Sequence, residues 1–168
     1  MLLYSYQINK FYIIKKPKIA EKPAGLLILK FISKATGQTK RKEDDEMKVG
    51  LIGCGGMGTT HNLSLKALSS KMDVEVTALA DCRPEFLEKA AEQWPNARLY
   101  KTGMELLEAE TLDSVHICLP SYLHTEHAVA AMDRGMNVFV EKPVCLTEEE
   151  AQKLLDAKER NHVQVMVG

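Results

Sequence analysis

From Met47 to the end of the chain, short β-branched apolar runs alternate with longer amphipathic stretches. That alternation is the mark of parallel βαβ units, in which buried strands read as continuous apolar runs and their crossover helices as one-sided ones. The runs predict strands at residues 48–52, 74–80, 98–100, 114–119, 137–140 and 163–167. The stretches between them predict helices near 57–69, 85–93, 104–107, 123–134 and 148–160. The fold class expected is therefore α/β, a doubly wound parallel sheet of the Rossmann type.

Several predicted boundaries have local causes. Pro84 suits a first helical turn, where a missing N–H costs nothing. Thr147 followed by Glu150 is a capping-box pattern opening the last helix. Gly135, directly after Arg134, suits the left-handed residue that ends a helix.

Residues 1–46 have no such period. They mix Tyr4, Tyr6, Phe11 and Tyr12 with scattered lysines and end in the charged run Lys40-Arg41-Lys42-Glu43-Asp44-Asp45-Glu46. The formal net charge of −1 hides this division, because the first 46 residues hold 10 Lys/Arg against 5 Asp/Glu and the remainder hold 12 against 18. A targeting peptide and a basic arm are both readings of such a segment. The preferred reading is a disordered or non-native extension, with Met47 as the natural start of a strand that opens the domain. The chain is therefore read as one domain with a tail: residues 1–46 as extension and residues 47–168 as the dinucleotide-binding domain.

Balanced overall charge gives no reason to expect nucleic acid as a partner. No apolar run reaches the roughly 20 residues a membrane span needs, so no membrane partner is expected and the localisation expected is cytoplasmic. The four cysteines, Cys54, Cys82, Cys118 and Cys145, are too widely spaced for a metal clamp. They read as reduced thiols, and no metal is expected.

Gly53-Cys54-Gly55-Gly56-Met57-Gly58 is a GxGxxG pattern fed by a predicted strand and leading into a predicted helix. In that setting the first glycine permits a tight turn, the second lets backbone approach a pyrophosphate, and the third allows close helix–strand packing. Free N–H groups at the helix start then face the anion. The second strand ends at Asp81, about twenty residues on, where a carboxylate can accept the ribose hydroxyls and repel a 2′-phosphate. Asp81 therefore favours NAD. Arg83 pulls the other way, since a guanidinium can stack on adenine or take a phosphate, so NADP stays open.

Two motifs follow. Val115-His116-Ile117-Cys118-Leu119 reads as a buried strand broken by Pro120, leading through Ser121-Tyr122-Leu123 to His124. Ligands of a doubly wound sheet lie at the carboxyl ends of strands, which puts Pro120, Tyr122 and His124 at the crevice. His116, inside the strand, and His127, further along the helix, read as structural. The next strand runs into Glu141-Lys142-Pro143, at the same sheet edge as the glycine loop. A lysine beside a nicotinamide can hydrogen-bond a substrate oxygen and assist proton transfer, so Lys142 is the candidate catalytic residue. Cofactor contacts are expected from Gly53, Cys54, Gly55, Gly56, Met57, Gly58, Asp81, Arg83, Pro120, Tyr122, His124, Glu141, Lys142 and Pro143.

In this order the motifs resemble the N-terminal domain of the Gfo/Idh/MocA oxidoreductases. The resemblance rests on the glycine loop, Asp81, Pro120 with His124, and Glu141-Lys142-Pro143, and it covers residues 47–168. It implies an NAD(P)-dependent enzyme that moves hydride between a nicotinamide dinucleotide and a secondary alcohol of a sugar, cyclitol or related polyol. It also implies an active-site role for Lys142. The family's other acid/base residues and most of its homo-oligomer interface come from a C-terminal substrate domain of which this sequence holds no trace. A truncated chain that binds NAD weakly and does not turn over substrate alone is the expectation. A free-standing dinucleotide-binding redox sensor or partner subunit is the alternative. A methyltransferase would explain the glycine loop and Asp81 but not the later motifs.

Overall fold

The computed structural model describes residues 46–168; the expectations for the amino-terminal extension lie outside the described residues. Among the described residues six strands and five helices alternate: β1 (Met47–Ile52), α1 (Gly56–Ser69), β2 (Val74–Ala80), α2 (Pro84–Ala91), β3 (Arg98–Tyr100), α3 (Gly103–Ala109), β4 (Ser114–Ile117), α4 (His124–Met132), β5 (Asn137–Val140), α5 (Glu148–Asn161) and β6 (Val165–Val167). A 3-10 turn, Ser121–Leu123, leads into α4. All pairings are parallel, in the order β3-β2-β1-β4-β5-β6. That is the doubly wound order, with its topological switch between β1 and β4.

Side chains alternate across the sheet and fill two cores. Ile52, Val115, Ile117, Val138 and Val140 pack with Leu106 and Leu107 of α3, Ala128 and Met132 of α4, and Leu154 of α5. Val49, Leu51, Val76, Leu79 and Phe139 pack instead with Leu65 of α1, Leu87 of α2 and Trp94. Both faces are covered, which is why the central strands carry almost unbroken apolar runs.

The local signals act as expected at three places. Pro84 occupies the first helical position of α2. Thr147 and Glu150 form the capping box of α5, and Gly135 takes φ +77°. A second capping box, Thr102 with Glu105, opens α3, so this helix is longer than the predicted 104–107. Two strand ends are shorter than predicted. β4 stops at Ile117 because the chain turns into the cleft once Cys118 N–H has bonded to Ile52 O. β6 starts at Val165, since Gln164 N–H is taken by the Asn137 side chain.

Candidate dinucleotide site

The glycine loop bridges β1 and α1, and two of its glycines are demanded by space. Gly53 has φ +87°, and a Cβ there would lie 2.6 Å from Cys118 O. At Gly58 a Cβ would lie 1.8 Å from Gly53 O, so α1 can leave the strand this closely only without a side chain. Gly56, by contrast, faces open space, and beside Gly55 the nearest atom is the Arg83 guanidinium. Gly55 caps α1 without a side-chain bond, and no acid stands in the first turn. The amide groups at the start of α1 are thus left for a ligand, which the helix dipole biases towards an anion.

Asp81, just past β2, is buried (7% exposed). Its Oδ2 accepts the Cys54 N–H at 2.8 Å and its Oδ1 accepts the Arg83 N–H at 2.9 Å. It is not the helix N-cap; Arg83 holds that position. The Arg83 side chain reaches back over the Phe86 ring at 4.0 Å and leans towards Asp81.

A cavity of about 800 Å³ runs along the carboxyl ends of the strands, within the roughly 300–1,000 Å³ of ordinary ligand sites. Of the expected residues, Gly53, Gly55, Gly56, Met57, Asp81, Arg83, Pro120, Tyr122, Glu141 and Lys142 line it. Cys54, Gly58, His124 and Pro143 do not. For Cys54 and Gly58 the reason is their place on the inner side of the loop, where the Cys54 side chain joins the core.

His124 departs from its expected place at the crevice. It is 1% exposed; its Nε2 lies 2.7 Å from Leu119 O and its Nδ1 2.8 Å from Pro143 O. It ties the Pro120 turn to the Lys142–Pro143 turn, whose peptide is cis, from beneath. His127, expected to be purely structural, reaches the cavity wall from α4, with its Nδ1 2.9 Å from Leu123 O. Lys101, Thr102 and Met104, which motif reasoning passed over, complete the wall near the start of α3.

Sequence reasoning also missed His61. It sits on the face of α1 that carries the buried Gly58, Asn62 and Leu65, and its Nε2 lies 2.9 Å from Glu141 Oε1. A polar residue in the middle of that i, i+3, i+4, i+7 stripe was the available signal. Glu141 is held below the usual carboxylate range, first by the His61 hydrogen bond and against the pull of burial. Burial also pushes up the thiols beside the loop, Cys54 to about 12 and Cys118 well above its ordinary value.

A parallel sheet in this order, with a glycine cradle and a buried acid at the end of β2, defines a dinucleotide-binding domain. The model of the oxidoreductase family with an NAD-binding Rossmann fold, Gfo/Idh/MocA, matches residues 47–168, and the chain belongs to that family. The rhizopine catabolism protein MocA of Rhizobium meliloti is 32% identical over 72% of this chain and 37% of its own length. Myo-inositol 2-dehydrogenase of Thermotoga maritima is 29% identical over 73% of this chain and 36% of its own. Scyllo-inositol dehydrogenase from Lactobacillus casei, solved with NAD(H) and scyllo-inositol, superposes with a TM-score of 0.68 at 21% identity, covering 74% of this chain and 36% of that one. The chain thus spans little more than a third of the length of the relatives it matches. Among the described residues no helix is long and apolar enough to cross a membrane.

Proposed function

We propose that residues 47–168 are the cofactor half of an enzyme that transfers hydride between a nicotinamide dinucleotide and a secondary alcohol carbon of a cyclitol, sugar or similar polyol. The observation that carries this reading is the presence of Lys142 on the same cavity wall system as Gly55 and Asp81. A phosphate cradle, a ribose-facing acid and a primary amine then address one ligand and its reacting end.

The residues present fit a dinucleotide. The open space at Gly56 and the uncapped start of α1 receive the pyrophosphate. Asp81 Oδ2 takes one backbone N–H and keeps a further lone pair for a ribose hydroxyl, while Oδ1 takes the Arg83 N–H and, at 3.4 Å, the Arg83 Nε–H. Arg83, half-exposed beside Gly55, stands where it can flank the adenosine or meet a 2′-phosphate. NAD is the favoured cofactor, with NADP admitted by Arg83. When bound, the cofactor supplies the two-electron acceptor; Lys142 hydrogen-bonds the substrate oxygen and assists movement of its proton. The inositol dehydrogenase among the relatives supports a polyol as substrate class.

Closing a water-poor site around a polyol needs a second wall. Further acid/base residues and the homo-oligomer interface are accordingly assigned to a substrate domain outside these residues, in a cytoplasmic enzyme. The 168-residue chain binds NAD weakly and turns over no polyol alone. A thermal-shift comparison of NAD, NADP and S-adenosylmethionine tests this, because a ligand of the folded state raises its melting temperature. Stabilisation by S-adenosylmethionine alone would sink the reading, and turnover of a polyol by this chain would refute its expected inactivity. The second reading, a free-standing redox sensor, shares the cofactor site and is favoured instead if the chain is monodisperse and binds NAD tightly.

A further inference from the structure

Between α1 and the sheet lies a polar chain that no cofactor contact explains. His61, His116 and Glu141 are all buried. His61 Nδ1 lies 2.9 Å from His116 Nδ1, and His61 Nε2 lies 2.9 Å from Glu141 Oε1. The His61 ring meets both the His116 and Phe139 rings edge-on, at 5.2 and 4.9 Å, while His116 stacks on Phe139. Three elements far apart in sequence thus fix one imidazole in one orientation.

Counting donors gives the chain a direction. An ionised carboxylate only accepts, so the His61 Nε2 carries a proton and donates to Glu141. Burial, with His61 alongside, holds His116 well below its ordinary range, so it is neutral. One arrangement satisfies both contacts with neutral rings: His116 Nδ1–H donates to His61 Nδ1, and His61 Nε2–H donates to Glu141.

The carboxylate is pinned on other sides too. Its Oε2 accepts the Lys142 N–H at 3.3 Å. Gly168, just past β6, packs so closely that a Cβ there would lie 2.6 Å from Oε1. Cys118 and Lys142 are the further titratable groups facing it. On the far side of Lys142, His124 holds Pro143 O. The lysine is therefore flanked by two residues, each of which is held by a buried imidazole.

We propose that His61 is a positioning residue for Lys142: backed by His116, it locks the Glu141 carboxylate against α1 and so fixes the peptide that presents the Lys142 amine to the cleft. The proposal rests on reading Lys142 as the active-site amine. With a leucine at 61 the carboxylate loses its donor, and it takes up a proton or turns into the cavity it already borders. Either outcome frees the Lys142 backbone on that side.

The test is NMR on the full chain, following the Glu141 carboxylate carbon, the Lys142 side-chain carbons and the amides of residues 53–58. In the native protein the His61 Nε2 is protonated, Glu141 stays ionised below its ordinary 4.5, and added NAD+ moves both the loop amides and Lys142. His61→Leu raises the Glu141 titration to or above the ordinary range and abolishes the Lys142 response, while the loop amides still respond. His61→Gln keeps an N–H donor of similar reach and restores both. Native Glu141 titrating at or above 4.5, or His61→Leu leaving Glu141 and Lys142 unchanged, overturns the proposal. Should His61→Leu fail to fold, the native titration and His61→Gln decide. If NAD+ moves neither the loop amides nor Lys142 in the native chain, the cofactor reading itself falls, a result distinct from failure of the lock.

Discussion

The backbone amide of Cys54 donates to the side chain of Asp81 at 2.8 Å, across 27 residues of chain. The acid proposed to face the ribose is therefore also a strut of the glycine loop. On the proposed reading, binding of the two halves of a nucleotide is coupled through one carboxylate, because losing it would loosen the loop as well as the ribose site.

Asp81→Ala leaves the Cys54 N–H buried without its acceptor. We expect a loss of about 1–3 kcal/mol in stability, read by urea denaturation, together with loss of NAD binding. Asp81→Asn removes the charge and offers one oxygen to two backbone N–H groups, so it can hold Cys54 N–H only by setting its NH2 against Arg83 N–H. It should lose less stability than Asp81→Ala and shift preference from NAD towards NADP in thermal-shift titrations.

The glycines of the loop are unequal. Gly58→Ala places a Cβ against Gly53 backbone, and neither partner is a flexible side-chain tip. A destabilisation of about 1–3 kcal/mol is expected, with loss of cofactor binding. Gly56→Ala meets nothing within 4 Å and should fold at least as stably, since alanine restricts the unfolded chain by about 0.4–1 kcal/mol. Equal effects of the two substitutions in calorimetry would contradict this geometry.

Stability should fall as the solution is acidified, in two stages. His116 is held neutral when folded, so below its ordinary 6.5 only the unfolded chain takes up that proton. Glu141 is depressed, so its contribution is complete above the ordinary 4.5 and is lost as pH falls through its lower folded value. Each proton adds a slope of up to about 1.4 kcal/mol per pH unit in its window. Urea midpoints between pH 8 and about pH 3 check this; His116→Phe should flatten the upper stage.

Thiol reactivity should be selective. Cys54 is buried and pushed up to about 12, and Cys118 is raised well above its ordinary value by burial and by Glu141. Cys82 is exposed and borders the cavity. Iodoacetamide at pH 8 should therefore label Cys82 first, and NAD+ should protect it; peptide mass spectrometry reads both.

How much of this was legible in advance depends on the range of the interaction involved. Local chemistry was written in the chain: the apolar runs of a two-faced sheet, Pro84 at a helix start, the Thr147–Glu150 box, the strand–glycine–helix order, and Asp81 at the end of the second strand. Each needs only neighbours a few residues away, so periodicity and spacing determine it. The pairing of side chains across elements was not. That His124 turns under the floor to bond two carbonyls, that Asp81 ties to Cys54, and that His61 reaches Glu141 from 80 positions away follow from how α1 and α4 lie against the sheet. Packing sets those distances, and a single sequence carries no local trace of which buried polar atoms will meet.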